Sequence, residues 1–236
     1  MLPVSLLIAG LALLVGFVRL QLKREHPLLD VRLFSDNLTF AFSNLAAMIN
    51  YSATFAVGFL ASMHLQLVMG LDARISGWVM LSQPLLMALF SPFAGRLSDK
   101  VEPRIVASVG MALTTVGLFF FAFVSEQTRL PVVMAELALM GLGFAFFSSP
   151  NNNAIMGAVA KEQYGVAASS LATMRMTGQA VSMSIVALVM VAAGGKTAVG
   201  AEAAGVVLGS IQLSLGIFTV LSAVGIVFSL KRGRVR

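Results

Sequence analysis

The stretch 168-ASSLATMRMTGQAVS-182 combines small and apolar residues with a single charged side chain, Arg175. It lies within residues 167–193, where Arg175 is again the only charge. About 20 apolar residues in a helix are enough to cross the hydrocarbon core of a bilayer. An arginine near the centre of such a helix costs about 2.5–3.5 kcal/mol on insertion scales. The stretch therefore predicts a membrane-spanning helix in which Arg175 faces something other than lipid.

The composition of the whole chain is that of a membrane protein. Of its 236 residues, 58% are hydrophobic and 11% are charged, and the mean hydropathy is +0.92. Soluble globular domains average about 25% charged residues. The net charge of +6 does not indicate a nucleic-acid partner, because the basic residues are scattered at the ends of apolar runs. The sequence has no cysteine, which excludes disulfides and thiolate metal sites.

Seven apolar runs are each long enough to form a membrane-spanning helix. They cover residues 2–20, 38–63, 76–94, 105–124, 131–149, 167–193 and 206–230. Strand-like alternation is absent, and the runs are about twice the length that a barrel strand needs. His26 and His64 are both predicted to lie outside the runs. We therefore predict an all-α, polytopic membrane protein with about seven transmembrane helices.

The loop charges predict the orientation of these helices. With the tail 231-KRGRVR-236 in the cytoplasm, twelve of the sixteen basic residues lie in cytoplasmic loops or in the tail. Three others, Arg74, Arg129 and Lys196, then lie in outside loops. Cytoplasmic loops are enriched in lysine and arginine. We therefore expect a multi-pass protein of the cell (inner) membrane, with its N-terminus outside and its C-terminus in the cytoplasm.

Polar and small residues form stripes on three of the predicted helices. Arg175 shares a helical face with Gln179 and Ser182, because successive helical residues turn by about 100°. Two other helices carry comparable polar residues, which are Asn44, Asn50, Tyr51 and Gln212. Such faces suit either an aqueous path or tight packing with interhelical hydrogen bonds. We favour a cavity that a substrate passes through, and packing is the alternative.

Glu136 is the only carboxylate within the seven runs. Ionisable groups inside membrane helices are rare and often belong to proton relays. Glu136 is therefore our candidate for proton coupling. Its place near one end of run 131–149 also allows the alternative that it reaches the membrane interface and has a structural role.

The loop 91-SPFAGRLSDKVEPR-104 carries a dense group of charged residues. It resembles a loop of the major facilitator superfamily with the pattern G-x-L-x-D-R/K and further basic residues. The matching residues are Gly95, Leu97, Asp99, Lys100 and Arg104. The resemblance implies a gating loop between two helices of a six-helix half. A plain helix cap at Asp99, before a helix that starts near Pro103, is the alternative.

The longer stretch 148-SSPNNNAIMGAVAKEQYGVAASSLATMRMTGQAVS-182 resembles drug:proton antiporters of the EmrB/QacA type, which have fourteen spans. The segment 26-HPLLDVRLF-34 resembles the same family. The resemblance implies proton-coupled export of drugs or other small amphipathic molecules by alternating access. It also implies that this chain is the C-terminal half and that its partners are an N-terminal half, the lipid bilayer, a small amphipathic substrate and protons.

The same resemblance implies four regions along the chain. Residues 1–22 form an extra transmembrane helix, 23–37 a cytoplasmic connector, 38–230 the six-helix transporter half, and 231–236 a basic cytoplasmic tail.

Catalytic and cofactor-binding motifs are missing from the sequence. There is no H-E-x-x-H zinc motif and no G-x-x-x-x-G-K-[ST] phosphate loop. We therefore expect neither an enzyme nor a bound cofactor or metal. A retinal pump is disfavoured because run 206–230 has no internal lysine. A seven-helix receptor or a non-transporting assembly subunit is the alternative to a transporter.

Overall fold

The computed structural model describes residues 32–194 and 201–232, together with positions 10, 12, 13, 15, 16 and 19–21. Throughout this part of the chain the regular structure is helical, without strands. The α-helices are Arg32–Asp36, Leu38–Thr54, Val57–Met63, Ala73–Met80, Ser82–Ser98, Pro103–Phe121, Leu130–Gly157, Tyr164–Ala192 and Ala201–Lys231. A π-helical turn covers His64–Val68, and a 3-10 turn covers Lys161–Gln163.

Six segments of the described chain are long and apolar enough to cross a membrane. We number these spans first to sixth in chain order: Leu38–Val68, Ala73–Ser98, Pro103–Phe121, Leu130–Gly157, Lys161–Ala192 and Ala204–Lys231. The predicted all-α, polytopic fold is thereby confirmed. The predicted run 2–20 lies mostly outside the described residues, as do residues 23–31 of the connector and 233–236 of the tail.

The fourth span is longer than the sequence predicted. Its helix does not end at Ser149 but continues through Pro150 to Gly157. A proline removes only one backbone hydrogen bond from the helix. The asparagines that follow Pro150 bond to other spans, as described below, and these bonds support the extra two turns. The predicted end of this run at residue 149 was therefore too early.

His64 also lies elsewhere than predicted. It begins the π-helical turn at the end of the first span and is fully buried. Its ring meets the ring of Phe121 edge-on, with 6.4 Å between the centroids. The polarity of histidine had placed it beyond the apolar run, but contact between aromatic rings favours its burial.

The six spans pack as one bundle, in which the buried apolar side chains of the described residues form three clusters. The fourth span packs against the second and the third, and the first packs against the fifth and the sixth. The largest core cluster includes Leu60, Phe121, Leu137 and Phe218. Lipid tails are as apolar as these side chains, so close packing and interhelical hydrogen bonds hold such a bundle together.

The spans differ greatly in how much of their surface the bundle covers. In the 18-residue apolar stretch of the first span, 61% of the residues are buried inside the bundle. The corresponding shares are only 17% for the second span and 22% for the fifth. Two spans therefore present most of their side chains to the outside of the bundle.

Candidate functional site

A groove of about 290 Å³, with a mainly apolar lining and a few polar side chains, opens among the first, second, fourth and fifth spans. This volume is at the lower end of the range for small-molecule pockets. We call it the Tyr51 groove. Its lining residues are Tyr51, Thr54, Phe55, Gly58, Gln83, Pro84, Met87, Phe144 and Gln179. The groove therefore brings together Tyr51 and Gln179, which the sequence predicted to line a cavity.

Gly178 brings the fifth span against the first at this groove. A Cβ atom at this position would collide with the backbone carbonyl of Met48 and would lie 3.0 Å from the Cβ of Tyr51. Backbone atoms cannot move aside as a flexible side chain can. The absence of a side chain at Gly178 therefore sets the distance between Tyr51 and the neighbouring Gln179.

Gly141 has the same role between the fourth span and the second. A Cβ atom here would collide with the backbone carbonyl of Gln83. Phe144 lies about one helical turn further along the fourth span. The close approach at Gly141 thus places Gln83 and Phe144 on the same groove. Neither residue was predicted to belong to a site.

The first span is interrupted beside the groove. Its helix ends at Thr54 and resumes at Val57, which leaves Phe55 and Ala56 between the two parts. The backbone N–H of Ala56 donates a hydrogen bond of 3.0 Å to Oγ of Ser182. An unsatisfied backbone group in a bilayer costs several kcal/mol. Ser182 is fully buried and so stabilises the interruption through this bond.

The groove combines aromatic rings and amides, and one cation, Arg175, lies beside its lining. The rings of Tyr51 and Phe144 meet edge-to-face, with 5.5 Å between centroids and 76° between planes. Arg175 is exposed, and its Cζ lies 6.0 Å from the centroid of the Tyr51 ring, which is within the range of a cation–π contact. Among the described residues that line the groove there is no carboxylate.

The structure places three other predicted cavity residues elsewhere. Asn44 and Asn50 are fully buried inside the bundle. The amide of Asn44 donates to the carbonyl of Phe40 in its own helix, whereas neither polar atom of Asn50 has a partner among the described residues. Gln212 donates to the carbonyl of Val124 and lines a separate groove along the sixth span.

Glu136 lies away from the Tyr51 groove. It lines another shallow pocket with Phe120 and Leu139, where the third span meets the fourth. One carboxylate oxygen, Oε2, is buried and has no hydrogen-bond partner in the described part of the chain.

The predicted gating loop begins within a helix. Gly95 and Leu97 belong to the last turn of the second span. Asp99 is the C-cap of that helix, and its backbone N–H donates to the carbonyl of Gly95 at 3.2 Å. The alternative that Asp99 caps the following helix is wrong, because Glu102 occupies the position before Pro103. Lys100 follows the cap and is exposed, while Arg104 is in the first turn of the third span.

A hydrogen bond ties this loop to the fourth span. The amide of Asn153 donates to Oγ of Ser98 at 2.8 Å. One turn earlier, a Cβ atom at Gly95 would lie 3.0 Å from Oγ of Ser149. The spacing of the loop residues gave no signal for Ser98 or Asn153, because their contact joins two distant segments.

A second polar cluster lies at the same end of the bundle. We call Ser43, Asn151 and Arg232 the clasp, since they join the first, fourth and sixth spans. Nη1 of Arg232 donates to Oδ1 of Asn151 and, at 3.3 Å, to Oγ of Ser43. Nδ2 of Asn151 donates to the carbonyl of Ser43 at 3.3 Å. All three side chains are buried.

Arg232 remains charged in the clasp. Burial lowers the pKa of its guanidinium to about 10, while the negative charge of Glu102 opposes this shift and the positive charge of Arg104 adds to it. A pKa near 10 leaves the group protonated at neutral pH. The sequence had indicated only a topological role for this arginine of the tail.

The described residues contain no cluster that could hold a metal ion, where a cluster means three or more histidine, cysteine or carboxylate side chains.

Comparison with known proteins places these features in a family. The chain is 33% identical to the riboflavin transporter RibZ of Clostridioides difficile over 169 residues, which is 70% of this chain and 37% of that relative. It is 30% identical to the multidrug resistance protein B homolog of Mycobacterium tuberculosis over 186 residues, covering 78% of this chain and 34% of the relative. It is 25% identical to the lincomycin resistance protein LmrB of Listeria monocytogenes over 187 residues, which cover 79% of this chain and 39% of that relative.

The chain thus spans well under half the length of these relatives. The relatives are transporters or resistance proteins by name. The profile of the Major Facilitator Superfamily matches residues 44–235, which include all of the spans but the first turns of the first one. The chain belongs to the Major Facilitator Superfamily.

Proposed function

We propose that this chain is the C-terminal half of a transporter of the EmrB/QacA type, which exports small amphipathic molecules in exchange for protons. The observation that carries the proposal is the Tyr51 groove, whose lining includes residues of the second and fifth spans, the two spans that the bundle covers least. In transporters of inverted or repeated halves, the substrate binds near the middle of the membrane between the halves. The groove would be the part of this binding site that the present chain contributes.

The exposed faces of the second and fifth spans support the proposal that an N-terminal half packs against this chain. A bilayer can cover apolar side chains, but an exposed Arg175 in the middle of a span is costly in lipid. A second bundle that packs against the second and fifth spans would enclose Arg175 and Gln179 in a water-filled cavity. Rocking of the two bundles about this cavity would then give alternating access.

The names of the relatives support small organic molecules as substrates. They include a riboflavin transporter and two proteins that are named for drug resistance. These compounds differ in shape, but each combines an apolar body with polar groups, as does the lining of the Tyr51 groove.

Transport in vesicles tests the proposal directly. The chain would be expressed alone and together with an N-terminal half in inverted membrane vesicles, and uptake of riboflavin, lincomycin and a fluorescent dye would be measured. A proton gradient should drive uptake only when both halves are present. Tyr51→Ala should abolish uptake, whereas Val109→Ala, at an exposed position of the third span, should preserve it. Equal uptake without the chain would refute transport and favour a receptor or an assembly subunit.

Glu136 is the proposed proton carrier of this half. Its buried, unpartnered carboxylate oxygen has an environment in which gain of a proton removes an uncompensated charge. In the same vesicles, Glu136→Gln should prevent proton-driven uptake while substrate binding persists. Unaltered proton movement on addition of substrate would leave Glu136 with a structural role.

Asp99 is proposed to help hold one access state through the gating loop. Asp99→Asn should leave the amount of protein near normal and slow uptake by the complete transporter. Glu162→Gln is a matched control, because Glu162 is an exposed acidic residue near the start of the fifth span. Normal uptake by the Asp99 variant would argue for a helix cap without a gating role.

The proposed orientation places the clasp and Lys100 in the cytoplasm and the loop before Arg129 outside. A single cysteine at Lys100 should react with an impermeant thiol reagent only from the cytoplasmic side. A cysteine at Gln127, which is exposed in the opposite loop, should react only from outside. The reverse pattern of labelling would overturn the orientation.

A further inference from the structure

We propose that the Tyr51 groove selects planar aromatic ligands that are neutral or anionic, and disfavours lipophilic cations of the same shape. The proposal rests on the proposed function, since it names the class of substrate for the same site. Three features of the groove carry it: its charge, its rings and its amides.

Among the described residues, the groove lining carries no charged side chain, and the charge next to it is positive. Arg175 lies beside it, exposed, with Cζ 6.0 Å from the centroid of the Tyr51 ring. None of the described lining residues is acidic. Glu136, the one carboxylate among the predicted runs, lines a different pocket. An anion in the groove would therefore meet an opposite charge, whereas a cation would meet a like charge with no carboxylate to offset it.

The rings favour a flat ligand. Tyr51 and Phe144 meet edge-to-face, and both are only partly buried. Aromatic ligands pack on such rings by offset stacking or edge-to-face contact. Arg175 adds a planar guanidinium, which also stacks on flat π-systems. A planar ligand can thus contact the rings while its charged edge lies near the arginine.

The amides favour a ligand with a polar edge. Gln83 and Gln179 face the groove from the second and fifth spans. Each amide offers two N–H donors and one carbonyl acceptor. Neither amide has a hydrogen-bonded partner elsewhere in the described part of the protein. Carbonyl, ring N–H or carboxylate groups of a heteroaromatic ligand would pair with both, and a purely apolar ligand would leave them unpaired.

Two dyes on the same xanthene ring system separate charge from shape. Fluorescein is an anion at pH 8, and rhodamine 123 is a cation. The chain would be purified together with the N-terminal half used in the vesicles and placed in nanodiscs of uncharged phosphatidylcholine. Binding would be followed by fluorescence anisotropy, with nanodiscs that hold the N-terminal half alone as the blank. Fluorescein should bind at least about tenfold more tightly than rhodamine 123, the ratio expected for one favourable charge contact in a partly desolvated site.

Matched variants test which residues cause the preference for fluorescein over rhodamine 123. Arg175→Gln should weaken fluorescein binding by about tenfold and leave rhodamine 123 unchanged or tighter, whereas Arg175→Lys should keep the preference. Arg129→Gln makes the same change of charge at an exposed position before the fourth span and should behave as wild type. Gln83→Leu and Gln179→Leu should weaken both dyes, while Gln127→Leu, in an exposed loop, should weaken neither.

The outcomes separate this proposal from the proposed function. Tighter binding of rhodamine 123, equal binding of both dyes, no binding of fluorescein, or an Arg175→Gln variant with wild-type affinity would each overturn the selectivity. Dye binding does not require transport. If fluorescein binds with the expected dependence on Arg175 but no proton-driven uptake occurs in vesicles with both halves, the ligand class stands and the transport function fails.

Discussion

The clasp and the Tyr51 groove use the same kinds of side chain in opposite ways. In the clasp, the guanidinium of Arg232 donates to the amide of Asn151, and both groups are buried. Beside the groove, Arg175 is exposed and contacts the ring of Tyr51, while the glutamine amides of the groove lining have no protein partner among the described residues. Amides and arginines that bond to each other hold helices together. The amide and guanidinium groups at the groove are not bonded to each other and are therefore available to a ligand.

This difference predicts that substitutions in the clasp affect stability, whereas substitutions in the groove affect binding. Pairs of matched variants test that division, and their expected effects on stability decrease from the clasp to the groove.

Asn151→Ala should produce the largest loss of stability. It removes the acceptor of a buried, charged guanidinium, and a hydrogen bond to a charged group contributes roughly 1.5–3 kcal/mol. We expect a loss of about 3 kcal/mol in thermal unfolding of the chain in detergent, with little change in fluorescein affinity. Asn152→Ala is the control, because this neighbouring asparagine is exposed. Equal effects of the two variants would mean that the clasp does not stabilise the bundle.

Gly178→Ala should cost about 2 kcal/mol, the middle of the range for overpacked sites. The added Cβ would collide with the backbone of Met48 and force the fifth span away from the first. Because Tyr51 and Gln179 flank this crossing, fluorescein affinity should fall as well. Gly165→Ala lies in the same helix where a Cβ meets nothing within 4 Å, and it should be neutral or slightly stabilising. If both variants unfold alike, close approach at Gly178 is not what builds the groove.

Ser182→Ala should have a smaller effect, of about 1–2 kcal/mol, because one buried backbone N–H loses its partner. That group belongs to Ala56, in the interruption of the first span. Hydrogen exchange measured by mass spectrometry should become faster around Ala56 and remain unchanged in the sixth span. Ser184→Ala is the control, since the Ser184 hydroxyl is exposed and bonds only within its own helix. Unchanged exchange at Ala56 would show that Ser182 does not hold the interruption.

Much of the fold was predictable because the bilayer fixes the length of a spanning helix. Each of the six spans in the described residues coincides with a predicted apolar run. The ends of the spans were harder to predict, because they depend on distant partners. Asn153 bonds to Ser98, 55 residues away, and Asn151 bonds to Ser43, 108 residues away. A run of asparagines without these partners is typical of a loop, so the extension of the fourth span to Gly157 was missed.

The groove was predictable only in part. Helical periodicity identified polar faces that include Tyr51 and Gln179, but it does not tell which neighbour a face meets. For this reason Asn50 and Gln212 were grouped with them although the structure separates them. A lone polar residue beside a proline in an apolar run was a usable signal for Gln83. Phe144 offered none, because phenylalanine in such a run is equally typical of contact with lipid.

Arg175→Gln should change stability least, and it provides the sharpest test of the contrast with the clasp. The arginine is exposed, and its contact with the Tyr51 ring at 6.0 Å is worth about 0.5–1 kcal/mol at such a site. We therefore expect a loss below about 1 kcal/mol in thermal unfolding, together with the tenfold loss of fluorescein affinity given above. A double-mutant cycle with Tyr51→Leu isolates the contact, since the Arg175 substitution should cost nothing further once the ring is gone. A stability loss as large as that of Asn151→Ala would mean that Arg175 also holds helices together, and the division between a stabilising clasp and a ligand-binding groove would then be wrong.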